Sequence, residues 1–151
     1  MINFYRKLDY YLIALARKIN RPFARLVIFI IFIWFGYLKV IGVSSANPLV
    51  EDLLVTVLPF ITFSQFIVVF GIFEILIGWL FILPRVERLA IFLLLVHMVM
   101  TALPLFLLPA VSWQAFGVPT LEGQYIIKNL AIISLVLIIG AKLSPRMKSR
   151  S

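Results

Sequence analysis

The sequence predicts an all-α fold: a four-helix transmembrane bundle with an N-terminal interfacial amphipathic helix and a short helix in an outer loop. Composition is the first observation. Of 151 residues, 64% are hydrophobic and 13% charged, and the mean hydropathy is +1.13, a balance that cannot describe a soluble surface. The second is length: four apolar runs, about Leu26–Val43, Phe63–Leu83, Leu89–Leu108 and Tyr125–Ala141, each suffice for a helix to cross roughly 30 Å of hydrocarbon. The third is pattern. The runs are continuous rather than alternating, which excludes barrel strands, and a backbone in hydrocarbon must satisfy its own hydrogen bonds. The expectation is one integral membrane domain over 1–151, with no room for a soluble catalytic domain.

Residues 1–22 come first. Leu8, Leu12, Leu15 and Ile19 repeat at helical spacing with Phe4 nearby, while Lys7, Arg17, Lys18 and Arg21 supply a basic side. Such a segment lies in the membrane interface, and Pro22 is expected to break it before the chain turns into the bilayer. It is not a secretory signal, because the basic stretch runs to Arg25 and the following span is long and lacks a small-residue cleavage pattern. After the first span, Asn47 is placed to cap a short helix opened by Pro48, with Glu51 and Asp52 near its positive end and Pro59 closing it. The segment Pro109 to Gln124, with Trp113, Gly117, Pro119 and Gly123, suits a turn-rich loop anchored at the outer interface.

Orientation follows from charge. Arg6, Lys7, Arg17, Lys18, Arg21 and Arg25 precede the first span, Arg85 and Arg88 follow the second, and Lys142, Arg146, Lys148 and Arg150 end the chain. The positive-inside rule puts these on the cytoplasmic side, with both termini there, and leaves Glu51, Asp52 and Glu122 in the outer loops. The net charge of +8 is therefore a topology signal that meets anionic lipid, not nucleic acid. The absence of cysteine excludes thiol redox chemistry, thiolate metal sites and disulfides. One histidine with a few carboxylates supports no metal site.

Each span carries one ionisable residue of functional interest: Lys39, Glu74, His97 and Lys128. Glu74 is the foremost candidate, since a carboxylate at the bilayer centre costs roughly 2.5 to 3.5 kcal/mol and demands a partner. The rise of about 1.5 Å per residue puts Glu74 and His97 near the midplane and both lysines roughly 5 to 8 Å outward. Gly71, Glu74 and Gly78 share a helix face on which a neighbouring backbone can approach closely. His97 shares its stripe with Thr101, and Lys128 has Gln124 and Asn129 close by. The bland alternatives are that the lysines snorkel outward to headgroups or outer carboxylates, and that His97 bonds across helices as structural glue.

Several stretches carry a family likeness: Ile33-Trp-Phe-Gly-Tyr-Leu-Lys39, Asn47-Pro-Leu-Val-Glu-Asp52, Gly71-Ile-Phe-Glu74 with Ile77-Gly78, and Thr120-Leu-Glu-Gly-Gln-Tyr-Ile-Ile-Lys-Asn129. Between Arg21 and Gly140 the chain resembles the DoxX-like small membrane proteins, near the branch of bacterial reactive-chlorine-resistance membrane proteins. The resemblance implies a four-helix protein of the bacterial inner membrane. Some relatives are subunits of thiosulfate:quinone oxidoreductase or associate with oxidant-defence enzymes.

Two functional classes follow. In one, the protein is an accessory subunit or binding module, not an enzyme on its own, holding a lipophilic or small polar ligand such as a quinone among Lys39, Glu74, His97 and Lys128. Its partner would be an oxidoreductase or a second copy. In the other it is a small proton-coupled transporter or efflux component, for which a midplane carboxylate and a nearby histidine are equally suitable. A third reading has the polar groups only fixing the packing of a structural membrane partner.

Overall fold

Four helices are long and apolar enough to cross a membrane, and they form an all-α four-helix bundle in the computed structural model, which describes residues 2–141 and 143. The basic residues Lys142, Arg146, Lys148 and Arg150 lie outside the described residues. In chain order the elements are α1 (Ile2–Val40), α2 (Asn47–Val57), α3 (Phe63–Ile82), α4 (Glu87–Ala102), α5 (Pro104–Leu107), α6 (Pro109–Ser112), the hairpin strands β1 (Trp113–Ala115) and β2 (Val118–Pro119), and α7 (Leu121–Ala141). The spanning helices are α1, α3, α4 with its continuation α5, and α7.

Pro22 does not break the first helix. The amphipathic segment and the first span form one helix of 39 residues, about 58 Å long at the usual rise. A proline in a helix interior removes one backbone bond and crowds the carbonyl four residues earlier, typically at about 3 kcal/mol. Here Arg21 and Arg25, on either side of it, are tied to Glu87, and Arg25 is tied to the end of α3 as well, so both flanks of the proline are held in helical register. Residues 4–20 are exposed throughout, and packing begins at Ala24.

From there Ala24, Ile28 and Phe32, spaced one turn apart, face Ile77 and Phe81 of α3, Leu94 and Met98 of α4, and Val136 and Ile139 of α7. The opposite faces expose large apolar side chains, among them Trp34, Val69, Phe92 and Leu137. Apolar surface on that scale is matched by a lipid bilayer. The tightest pairing is α1 with α3. A Cβ at Gly36 would lie 2.6 Å from the Gly71 carbonyl oxygen, and one at Gly71 would lie 2.7 Å from that of Gly36, so the two backbones touch where neither residue has a side chain.

At the far end from Arg25, α2 follows a turn in which Gly42 has φ +78°. Asn47 does not cap α2; its amide Nδ2 donates to the Gly42 carbonyl at 3.1 Å, so the side chain closes the preceding turn instead. The loop before α7 is knotted by side chains: Ser112 Oγ donates to the Pro104 carbonyl at 2.8 Å and Trp113 Nε1 to that of Leu105 at 2.9 Å. Thr120 caps α7 by accepting from the Gly123 amide at 3.1 Å while donating to the Val111 carbonyl at 2.7 Å. Thr120→Val removes both bonds and is expected to lower stability by about 1 kcal/mol, read as a shift in unfolding midpoint in detergent micelles.

Candidate functional site: a buried carboxylate between a lysine and a histidine

The site is set by the crossing of α1 and α3. Because Gly71 has no side chain, Lys39 of α1 lies directly against α3; a Cβ at 71 would be 3.0 Å from the Lys39 Cβ. The lysine then reaches inward to Glu74, one turn further along α3, rather than outward to headgroups. Lys39 Nζ donates to both carboxylate oxygens of Glu74, at 2.9 Å to Oε1 and 2.7 Å to Oε2. From α4, His97 Nε2 lies 2.9 Å from the same Oε1. All three residues are at most 5% exposed.

Rings close the site. Phe70 stacks on the His97 imidazole with centroids 5.2 Å apart and also lies 5.6 Å from Lys39 Nζ; Phe32 meets the imidazole edge-on at 5.2 Å, and Phe73 stands at 6.2 Å. In this dry setting an isolated charge would be prohibitive, whereas a lysine and a glutamate joined by two hydrogen bonds are mutually compensated. An ionised carboxylate only accepts, so the His97 nitrogen facing Glu74 is the one that carries hydrogen. That assignment leaves His97 Nδ1 buried with no hydrogen-bond partner. The network is complete at its Lys39 end and open at its histidine end.

Lys128 is not part of it. Its side chain is exposed on α7, with Nζ 5.0 Å over the Tyr125 ring. The buried face of α7 runs through Gly123, Ile126, Val136 and Ile139, and a position two residues from Ile126 is turned about 200° away from it. The neighbours on α7 follow suit: Gln124 is exposed and Asn129 half-buried, and neither side chain bonds to the network. Thr101 donates to the Met98 carbonyl at 3.1 Å within its own helix. Gly78 packs beneath Ile33, whose Cγ1 would lie 3.2 Å from an added Cβ, and so serves the α1–α3 contact rather than the carboxylate. Glu51, Asp52 and Glu122 are exposed at the end opposite Arg25. Among the described residues no group of three His, Asp or Glu is placed to hold a metal ion.

A second polar cluster escaped the sequence reading, which treated Arg21 and Arg25 as topology markers, and Arg21 also as part of a basic helix side, and passed over Glu87. Glu87 opens α4, 9% exposed, and both arginines bond to its carboxylate. Arg25 also caps the end of α3, donating to the carbonyls of Phe81 at 2.6 Å, Ile82 at 3.2 Å and Leu83 at 3.1 Å. Its place is favourable twice over, since helix C-termini attract cations and helix N-termini attract carboxylates. The available signal was a lone glutamate at a helix start, flanked by Arg85 and Arg88.

Comparison with protein-family models, with curated proteins and with solved structures gave no significant match.

Proposed function

We propose that this is a DoxX-like integral membrane protein that acts as an accessory subunit or binding module, holding a lipophilic carbonyl compound of the quinone type at the Lys39–Glu74–His97 network. The observation that carries this reading is the unpartnered, buried Nδ1 of His97, at the end of a network otherwise satisfied and surrounded by three phenylalanine rings. Aromatic walls suit a flat ring, and Nδ1, an acceptor while Nε2 carries the hydrogen, suits the hydroxyl of the reduced, quinol form of such a ring. The Nε2 contact to Glu74 gives the imidazole a carboxylate with which to exchange a proton, while Lys39 holds the charge of that carboxylate in place. Electrons would come from an oxidoreductase partner, since the chain has no cysteine for thiol redox chemistry. The basic end, with Arg17, Lys18, Arg21, Arg25, Arg85 and Arg88, supports a reading with both termini on the cytoplasmic side by the positive-inside rule, and the DoxX-like resemblance implies a bacterial inner membrane.

The test compares lipophiles that co-purify with wild type, Glu74→Gln and His97→Phe, using only the folded, monodisperse fraction of each. His97→Phe is informative because it leaves the Lys39–Glu74 pair intact while removing Nδ1. Mass spectrometry should find a near-stoichiometric quinone in wild type that both variants lose. Equal quinone content in all three would overturn the binding reading. If the variants instead abolished pH-driven flux in proteoliposomes with no change in bound lipophile, proton-coupled transport would replace it.

A further inference from the structure

We infer that the basic end of the bundle carries a headgroup site for an anionic phospholipid, seated in the cleft between the Arg21–Arg25 turn of α1 and the α3–α4 connection. The cleft, about 460 Å³, is lined by Arg21, Pro22, Arg25, Ile82, Pro84 and Glu87. Its charges do not balance, because two guanidinium groups share the single carboxylate of Glu87. Arg25 is engaged at each of its nitrogens, its bonds divided between Glu87 and the last carbonyls of α3. Arg21 is not: one terminal nitrogen bonds to Glu87, and its Nε is buried with no partner. A planar guanidinium with spare donors is matched by phosphate oxygens, which accept in the same fork geometry.

Position selects the lipid form of that anion. The cleft lies where α3 ends and α4 begins, the level at which apolar helix surface gives way to polar groups and at which phospholipid phosphates sit. Just beside it Phe23, Leu26 and Leu83 are exposed and apolar, a surface for acyl chains attached to the bound head. Arg85, exposed in the connection, adds a further positive charge to the rim. A molecule with an anionic head and apolar tails fits both halves of this environment, whereas free phosphate uses only one. The site is separate from the Lys39–Glu74–His97 network and independent of any ligand held there.

Wild-type protein would be placed in nanodiscs of mixed phosphatidylglycerol and phosphatidylcholine, and the lipids retained after release into detergent counted by native mass spectrometry. The expected result is one retained phosphatidylglycerol per chain, enriched about fivefold over phosphatidylcholine, a ratio of the size one basic residue confers at an anionic surface. Arg21→Gln should abolish the enrichment and Lys128→Gln, at the far end, should leave it intact. Should Arg21→Gln fail to fold, photoreactive phosphatidylglycerol on wild type gives the answer, with cross-links expected in peptides containing residues 21–26 and 82–87. Enrichment that survives in Arg21→Gln, equal loss in Lys128→Gln, or cross-links spread evenly over the basic residues would overturn the site. Stabilisation by inorganic phosphate equal to that by phosphatidylglycerol would overturn its assignment to a lipid.

Discussion

Lys39→Met is expected to lower the stability of the bundle by about 3 to 5 kcal/mol, the usual loss when one member of a buried ion pair is removed and the other remains. Glu74 would then keep only the His97 contact at 2.9 Å, having lost two charge-assisted bonds at 2.7 and 2.9 Å. Its short side chain, in the middle of α3 and 4% exposed, cannot reach a headgroup. The reverse change, Glu74→Leu, should cost measurably less. Lys39 stands one residue from the end of α1, and its long stem allows the ammonium to swing out towards the interface once the carboxylate is gone. The double variant Lys39→Met/Glu74→Leu removes both charges and should recover most of the loss, because apolar replacement of a whole buried pair is often neutral. Denaturation in mixed micelles measures all four proteins. Strictly additive losses in the double variant would show that the two groups do not depend on each other.

That asymmetry between the two partners also explains how far the sequence could be read. The spanning helices were legible because continuous apolar runs of sufficient length have one solution in hydrocarbon, and the glycines flanking Glu74 were legible because residues three and four apart share a helix face. What a long side chain does is not contained in spacing. Lys39 and Lys128 looked alike, one near the end and one near the start of a span, yet Lys39 lies against a glycine that lets it turn inward, and Lys128 lies on the face of α7 that the bundle leaves uncovered. The difference comes from rotation of each helix about its axis, which tertiary packing sets. Pro22 was misread for a similar reason: its local cost argues for a break, and only contacts with residues some 60 positions away, at Phe81 and Glu87, outweigh it. The Arg21–Glu87–Arg25 junction is likewise a long-range fact, hidden because basic residues beside a span already had an explanation in topology.

Gly36→Ala, the addition of a single methyl group, is expected to rank with loss of the ion pair, at about 3 kcal/mol or more. Overpacking a core usually costs about 1 to 3 kcal/mol, where a neighbouring side chain can yield. Here the neighbour is backbone: the new Cβ would stand 2.6 Å from the Gly71 carbonyl oxygen and 3.0 Å from the Ile75 amide nitrogen. Relief requires α1 and α3 to part by about 0.8 Å or more to regain ordinary contact. That movement carries Lys39 away from Glu74, whose bonds lie one turn further along the same crossing, so packing strain and electrostatic loss arrive together. The two can be separated by repeating the Lys39→Met, Glu74→Leu cycle in a Gly36→Ala background, where the coupling between the charged pair should shrink. Gly140→Ala provides the contrast, since its Cβ would meet only Ile91 Cδ1 at 3.6 Å and alanine is the better helix former by about 1 kcal/mol. It should be neutral or stabilising. A Gly36→Ala protein as stable as wild type, with the pair's coupling unchanged, would mean that the backbone contact does not set the position of the buried carboxylate network.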